Sequence, residues 1–146
     1  MWEKMLDKKF FRSLSNVMRK DYVDEIFNKG KDVYGRKFKG YSTEYGKSKR
    51  ANEFKRQESA FANKTSPVLT GDFRDDAKPS NTSNSASVKW AAYGSRVEHL
   101  AKMGRKVTDK RQPLPKKVIK MIDSRVDREI KKQFPKNKKV VIKIQK

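Results

Sequence analysis

The clearest pattern in the chain is a stripe of apolar residues near its start. Apolar side chains recur at Trp2, Leu6, Phe10, Leu14, Val17 or Met18, Tyr22 and Ile26. This spacing of three and four residues predicts a long N-terminal helix within residues 1–29, or two helices broken near 13–15. Asn28 and Gly30 follow the last apolar pair, as expected where a helix ends in a left-handed residue.

A second stripe near the other end predicts another helix. Its apolar positions are Val118, Ile119, Ile122, Val126, Ile130 and Phe134. Pro115 suits a first helical turn and Pro135 opposes continuation, so we predict a helix from about 115 to 133. Beyond it, Val140, Ile142 and Ile144 alternate with other residues in the basic segment 135–146, which indicates a terminal strand.

Shorter patterns fill the middle of the chain. Glycines at 30, 35, 40 and 46 oppose a regular helix, so residues 30–47 are predicted to form an extended aromatic-basic loop that projects outward. We also predict a weak helix over 48–63, a hairpin loop over 78–87, a strand over 85–90 and a short helix over 95–103. Together these elements predict one α+β domain, residues 1–146 with a core in 48–134, in which the two long helices pack on a small, mainly antiparallel sheet.

The charge balance indicates what kind of partner the chain binds. The chain has 38 Lys and Arg against 17 Asp and Glu, a net charge of +21, and only 34% of its residues are hydrophobic. Such an excess attracts a polyanion or an acidic protein surface. The lysines near the C-terminus have two interpretations that stay open, a concentrated patch that meets this partner or a solvated tail. They are Lys131, Lys132, Lys136, Lys138, Lys139, Lys143 and Lys146.

Candidate catalytic chemistry is sparse. The chain has no cysteine and therefore no disulfide or thiolate metal site. Asp72, Asp75 and Asp76 could hold a magnesium ion for a nuclease, but we favour the simpler interpretation, a capped turn with solvated carboxylates. His99 beside Glu98 lacks a clear partner, and no glycine-rich phosphate loop is present. We predict a protein that is not an enzyme and binds no metal or cofactor, without a membrane span or a signal peptide.

Four short motifs occur in a characteristic order from the middle of the chain. They are Leu69, Thr70, Gly71, Asp72, Phe73 and Arg74; then Ala91, Ala92, Tyr93 and Gly94; then Glu98, His99 and Leu100 leading to Gly104; then Arg111, Gln112, Pro113 and Leu114 before the last helix. Their order and spacing resemble the virion-morphogenesis and tail-completion proteins of tailed bacteriophages, the neck or minor tail protein Z-like family. The resemblance covers roughly residues 35–134.

The resemblance implies a structural role at the head–tail junction of a virion that is assembled in the host cytoplasm. It implies a homo-oligomeric ring near the DNA channel, with phage portal, connector or tail proteins as partners and no cofactor. The aromatic side chains of the predicted loop, Tyr34, Phe38, Tyr41 and Tyr45, could stack single-stranded bases, but we expect them to pack against neighbouring subunits or the core. A non-specific nucleic-acid-binding accessory protein is the alternative, and a small metal-dependent nuclease is a third.

Overall fold

The N-terminal helix begins later than its apolar stripe predicts. The computed structural model describes residues 6–41, 43–62, 64–65, 67–68 and 71–133. Helix α1 spans Lys8–Val23 and begins where the carboxylate of Asp7 accepts a hydrogen bond of 2.8 Å from the amide of Phe10, the usual arrangement of an N-cap. It is not broken at 13–15. A π-helical turn, Asp24–Asn28, extends it, and the chain leaves at Gly30, whose φ of +67° confirms the predicted end.

A two-stranded antiparallel sheet packs against α1. Strand β1 spans Ala77–Asn81, strand β2 spans Ala86–Trp90, and Ala77 lies opposite Trp90. The prediction for 85–90 is confirmed, whereas the hairpin loop over 78–87 is wrong because β1 occupies its first half. The alternation typical of a strand is missing from β1, since Ala77 is its only fully buried residue.

The two later helices are confirmed. Helix α4 spans Gly94–Lys102, and helix α5 spans Lys116–Gln133 and lies against α1. The buried carboxylate of Glu25 joins the two long helices, because it lies 2.6 Å from the ammonium group of Lys29 and 3.3 Å from that of Lys117. The first turns of α5 are thereby held beside the end of α1.

The core brings together residues that are distant in the sequence. The ring of Phe73 stacks on that of Trp90 at 4.7 Å, and the ring of Phe27 meets both edge-on. The buried apolar residues around these rings include Leu14, Met18, Tyr22, Val23, Ile26, Val68, Ala77, Val97, Val107 and Val118. The chain is therefore an α+β domain, as predicted.

The region from 30 to 62 differs most from the prediction. Its first part is irregular, as expected, but it packs on the body of the protein instead of projecting outward, because Val33 and Phe38 are buried. Helix α2 spans Thr43–Arg50 and begins inside the predicted loop. The weak helix over 48–63 is wrong, since Asn52 and Arg56 have positive φ and only a 3-10 turn, Ser59–Phe61, follows. Helix α3, Asp72–Asp75, then leads into β1.

Candidate nucleic-acid interface

Two loops from opposite halves of the chain meet on one surface. The first covers residues 29–40 and the second covers residues 103–114. The amide of Val33 donates a hydrogen bond of 2.9 Å to the carbonyl of Lys106, and the side-chain amide of Gln112 donates one of 2.8 Å to the carbonyl of Val33. These bonds hold the loops side by side across more than seventy residues of sequence.

Asp32 gives the first loop its shape. Its buried carboxylate accepts hydrogen bonds from the amides of Tyr34, at 3.0 Å, and Arg36, at 2.9 Å. The guanidinium group of Arg36 adds a third bond of 3.1 Å. Aspartate commonly stabilises turns by bonding to backbone amides two or more residues ahead. The loop therefore presents its side chains from a fixed backbone.

Arg105 fastens the second loop to the first. Only 4% of this residue is exposed, and its guanidinium group donates hydrogen bonds to the carbonyls of Lys39, Gly40 and Thr65 at 2.6, 3.1 and 3.0 Å. The group also lies 4.0 Å from the centre of the Tyr41 ring. Cation–π contact and charge-assisted hydrogen bonds both gain strength when water is excluded.

A second buried cation lies on the same aromatic ring. The ammonium group of Lys49 is 4.7 Å from the centre of the Tyr41 ring and donates a hydrogen bond of 2.6 Å to the carbonyl of Lys64. Burial, with the positive charge of Arg105 nearby, lowers the pKa of Lys49 to about 8. Burial also raises the pKa of Tyr41 to about 12. Tyr41 therefore serves the packing of the loops and stays neutral at physiological pH.

The outer face of the two loops is strongly cationic. We define the two-loop basic surface as Arg36, Lys37, Lys39, Lys106, Lys110 and Arg111. Two of these cations lie near the exposed ring of Tyr34, with the guanidinium carbon of Arg36 at 5.2 Å and the ammonium group of Lys106 at 5.9 Å from the ring centroid. The side chain of Lys39 reaches across to Gly104 on the second loop.

The acidic side chains in these loops are already engaged. The Asp109 carboxylate accepts a hydrogen bond from the hydroxyl of Tyr34 and lies 3.1 Å from the ammonium group of Lys106. The bond from Tyr34 and then that from Lys106 lower the pKa of Asp109 to about 2. Asp32 is buried and bonded to Arg36. Most of the positive charge of the surface therefore remains available to a polyanion, whose phosphates bind lysine and arginine without regard to base sequence.

The described residues of the first short motif, residues 69–74, stabilise the fold. The guanidinium group of Arg74 makes two hydrogen bonds with the carboxylate of Glu58, at 2.9 and 2.7 Å, and one with Asp75 at 3.0 Å. Arg56 pairs with Asp72 at 3.0 Å. Gly71 has a φ of +87° and faces Glu58 closely. This turn therefore ties the irregular segment before it to α3, and Leu69 and Thr70 lie outside the described residues.

The second motif is attached to the first. The carboxylate of Asp76 accepts hydrogen bonds from the amides of Ala92 and Tyr93, and the ring of Phe73 meets that of Tyr93 edge-on at 6.3 Å. Among the described residues, no group of three or more histidine, cysteine, aspartate or glutamate side chains is placed to hold a metal ion. Glu98 and His99 are exposed on α4.

The remaining predicted residues fall into separate places. Tyr41 contacts Tyr45 at 4.7 Å and Tyr45 contacts Phe54 at 5.4 Å, so these rings pack within the chain, as does the buried Phe38. Lys131, at the end of α5, lies 3.0 Å from Asp127, and Lys132 is exposed beside it. The other lysines of the predicted patch, Lys136, Lys138, Lys139, Lys143 and Lys146, lie outside the described residues.

The two-loop basic surface was missed by the sequence reasoning. Its cations occur as short runs, Arg36 with Lys37 and Lys110 with Arg111, that are visible in the sequence. Their meeting depends on hydrogen bonds between backbone carbonyls and residues more than sixty positions away, which have no local pattern. The short basic runs are therefore a signal for the cations and not for the contact between the two loops.

Comparison of the chain with protein-family models, curated proteins and solved structures gives no match.

Within the residues that the structure describes, no helix is both long and apolar enough to cross a membrane.

Proposed function

We propose that this chain is a non-catalytic structural protein of a tailed bacteriophage that joins head and tail or completes the tail, as a ring of copies near the DNA channel. The observation that carries the proposal is the two-loop basic surface, in which six cations lie on a rigid backbone. The motif order described above adds the link to phage neck proteins. The proposal places the protein in the virion, beside portal, connector or tail proteins, and requires no cofactor.

The physical argument concerns DNA that moves past a fixed ring. A protein beside such DNA benefits from binding phosphates and not base edges, because phosphate contacts are the same for every sequence. The bonds from Arg105 and to Asp32 hold the backbone of the first loop, so that backbone loses little conformational freedom on binding. Symmetric repetition of the surface in a ring would multiply weak contacts into effective binding.

The same surface also supports a second candidate, a non-specific nucleic-acid-binding accessory protein that acts as a monomer or dimer. A nuclease is less favoured, because Asp72 and Asp75 face arginine side chains and Asp76 accepts bonds from backbone amides. The two leading candidates differ in assembly and share the basic surface. Assembly is therefore the property to measure.

The test is negative-stain imaging of the purified full chain, alone and mixed with the products of neighbouring genes. We expect rings, or complexes with a portal or tail protein, and weak DNA binding without sequence preference. A chain that stays monomeric with every neighbour and binds DNA tightly and selectively would be an accessory protein. Magnesium-dependent DNA cleavage that is lost on replacing Asp72, Asp75 and Asp76 by asparagine would make it a nuclease.

A further inference from the structure

An apolar groove of about 270 Å³ lies beside β2. Its floor includes Met18 and Tyr22 of α1, and its far wall includes Pro113 and Leu114. The near wall consists of residues of β2, including Val88 and Trp90, and of none from β1. The groove therefore lies on the side of β2 that faces α1 and is not lined by β1. Its volume is near the lower limit of about 300 Å³ for small-molecule pockets, which suits a few side chains of an extended segment.

The polar side chains around the groove are already bonded within the chain. The hydroxyl of Thr108 donates to the carbonyl of Pro113 at 2.9 Å, and the hydroxyl of Tyr22 donates to the carbonyl of Val107. The floor therefore offers apolar contact and no free polar side chain from these residues. A ligand here would be recognised by apolar side chains and by the backbone of β2.

The edge of β2 is suited to backbone pairing. In the part of the chain that the structure describes, β2 pairs with β1 alone. Pro79 interrupts the amide donors of β1 and makes that strand a poor template for a further strand, whereas β2 contains no proline. Extended segments commonly bind proteins by adding a strand to such an edge and placing alternate side chains in a groove.

The charge near this edge selects the occupant. Val88 and Trp90 lie on the face toward α1, so Lys89 between them points to the opposite face, where it is exposed directly across from Lys78. A strand added to β2 would place every second residue on the face of Lys89, and the residue opposite Lys89 would be favoured if it carried the opposite charge. The net charge of +21 also opposes a second copy of this chain at the site.

We propose that the edge of β2 that has no partner strand among the described residues, together with its groove, binds an extended segment of an acidic partner protein, in which apolar residues alternate with aspartate or glutamate. The apolar side chains enter the groove and the carboxylates lie beside Lys89. This inference does not depend on the proposed function, since it follows from the groove, the strand edge and the local charge.

Titration of the full chain with synthetic peptides tests this. The Trp2→Phe variant leaves Trp90, in the groove wall, as the one tryptophan and fluorescence reporter. The probes are the peptide EVELEVE, its lysine counterpart KVKLKVK, and KVVIKIQK, which copies residues 139–146. We expect the acidic peptide to change the fluorescence emission of Trp90 and to bind at least about tenfold more tightly than either basic peptide. Its affinity should decrease as the salt concentration rises. Equal binding of the three peptides, tighter binding of KVVIKIQK, or no response to EVELEVE would overturn the proposal.

Two kinds of variant locate the binding. Lys89→Glu should lower the affinity for EVELEVE about three- to tenfold and raise the affinity for KVKLKVK. Lys55→Glu makes the same charge change on an exposed residue outside the groove, so it should leave the ratio of the two affinities unchanged. Val88→Asp should abolish binding, and Leu114→Glu on the facing wall serves if Val88→Asp does not fold. Folded Lys89→Glu protein with unchanged peptide preference, or folded groove variants that still bind, would contradict the model.

Discussion

Arg105 lies over the ring of Tyr41 with its guanidinium group 4.0 Å from the ring centre, and it donates hydrogen bonds to three carbonyls of two other segments. This one side chain joins the loop after α4 to the loop after α1 and to the segment around Thr65. The position of the two-loop basic surface therefore depends on a buried cation that does not itself belong to the surface.

Replacement of Arg105 by methionine should destabilise the protein by about 2–4 kcal/mol, because three carbonyls would lose a charge-assisted donor. Urea unfolding at neutral pH measures the change. Arg111→Met is the matched control, since Arg111 is exposed, and it should change the free energy of unfolding by less than about 0.5 kcal/mol. Equal effects of the two substitutions would contradict the role given to Arg105.

The lowered pKa of Lys49 predicts stability that increases with pH. The group has a pKa of about 8 in the folded protein and an ordinary value of 10.5 when unfolded. Between these values the unfolded chain binds more protons, so the free energy of unfolding should increase as the pH rises from 8 to 10. Lys49→Met should remove this increase. Parallel urea titrations at pH 7, 8 and 9.5 would measure the difference.

Gly71 is predicted to tolerate no side chain. Its φ of +87° is unfavourable for other residues, and a Cβ atom there would lie 2.3 Å from a carboxylate oxygen of Glu58, which bonds to Arg74. Gly71→Ala should therefore cost about 1–3 kcal/mol. Gly94→Ala, where nothing lies within 4 Å of the added atom, should have little effect or stabilise α4. Thermal melts of both variants give the comparison.

Two neighbouring residues on α5 should differ strongly in how much an added charge destabilises the protein. Val118 is fully buried and Ile119 is 37% exposed. Val118→Asp should cost more than about 3 kcal/mol, because it places an unpaired carboxylate in the core, and Ile119→Asp should cost less than about 1 kcal/mol. Circular dichroism and urea unfolding would show one variant unfolded or severely weakened and the other nearly unchanged. The reverse order would place the wrong face of α5 against α1.

DNA binding should follow the two-loop basic surface. Replacing Lys37, Lys39, Lys110 and Arg111 by glutamine should weaken affinity for duplex DNA and flatten its salt dependence by about 0.9 per lost phosphate contact on a log–log plot. The comparison variant replaces Lys131, Lys132, Lys136 and Lys138, so it removes the same charge from the predicted C-terminal patch. A larger loss in that second variant would assign the contact to the C-terminal lysines.

The parts of the fold that the sequence predicts are those with a local period. Helix α5 and most of α1 have apolar stripes, and in β2 apolar residues alternate with polar ones. These patterns arise because one face of each element meets the core. Strand β1 has no such signal, because Ala77 is its one buried residue, Lys78 and Pro79 are exposed, and the last two residues are half-buried. The glycines of residues 30–40 predict an open loop. The sequence does not show that Arg105 donates hydrogen bonds to the backbone of this segment and holds it in place.

The candidate site was less predictable for the same reason. The composition shows the excess of cations directly. That these cations form a patch at the C-terminus stays a prediction, because the lysines after Gln133 lie outside the described residues. The contact of Tyr34 with Asp109 joins residues seventy-five positions apart and has no period to reveal it. Sequence patterns register which face of an element is buried, but they do not register which loops face each other.

The separation of the two loops also has a consequence for the order of folding. Residues 29–40 and 103–114 lie on either side of β1, β2 and α4 in the sequence, so their contacts close long loops and form only when much of the domain is in place. During synthesis, the first loop leaves the ribosome well before the second exists. The nascent chain therefore lacks the assembled cationic surface for most of its translation, and premature capture of nucleic acid at this site is limited by the timing of folding itself.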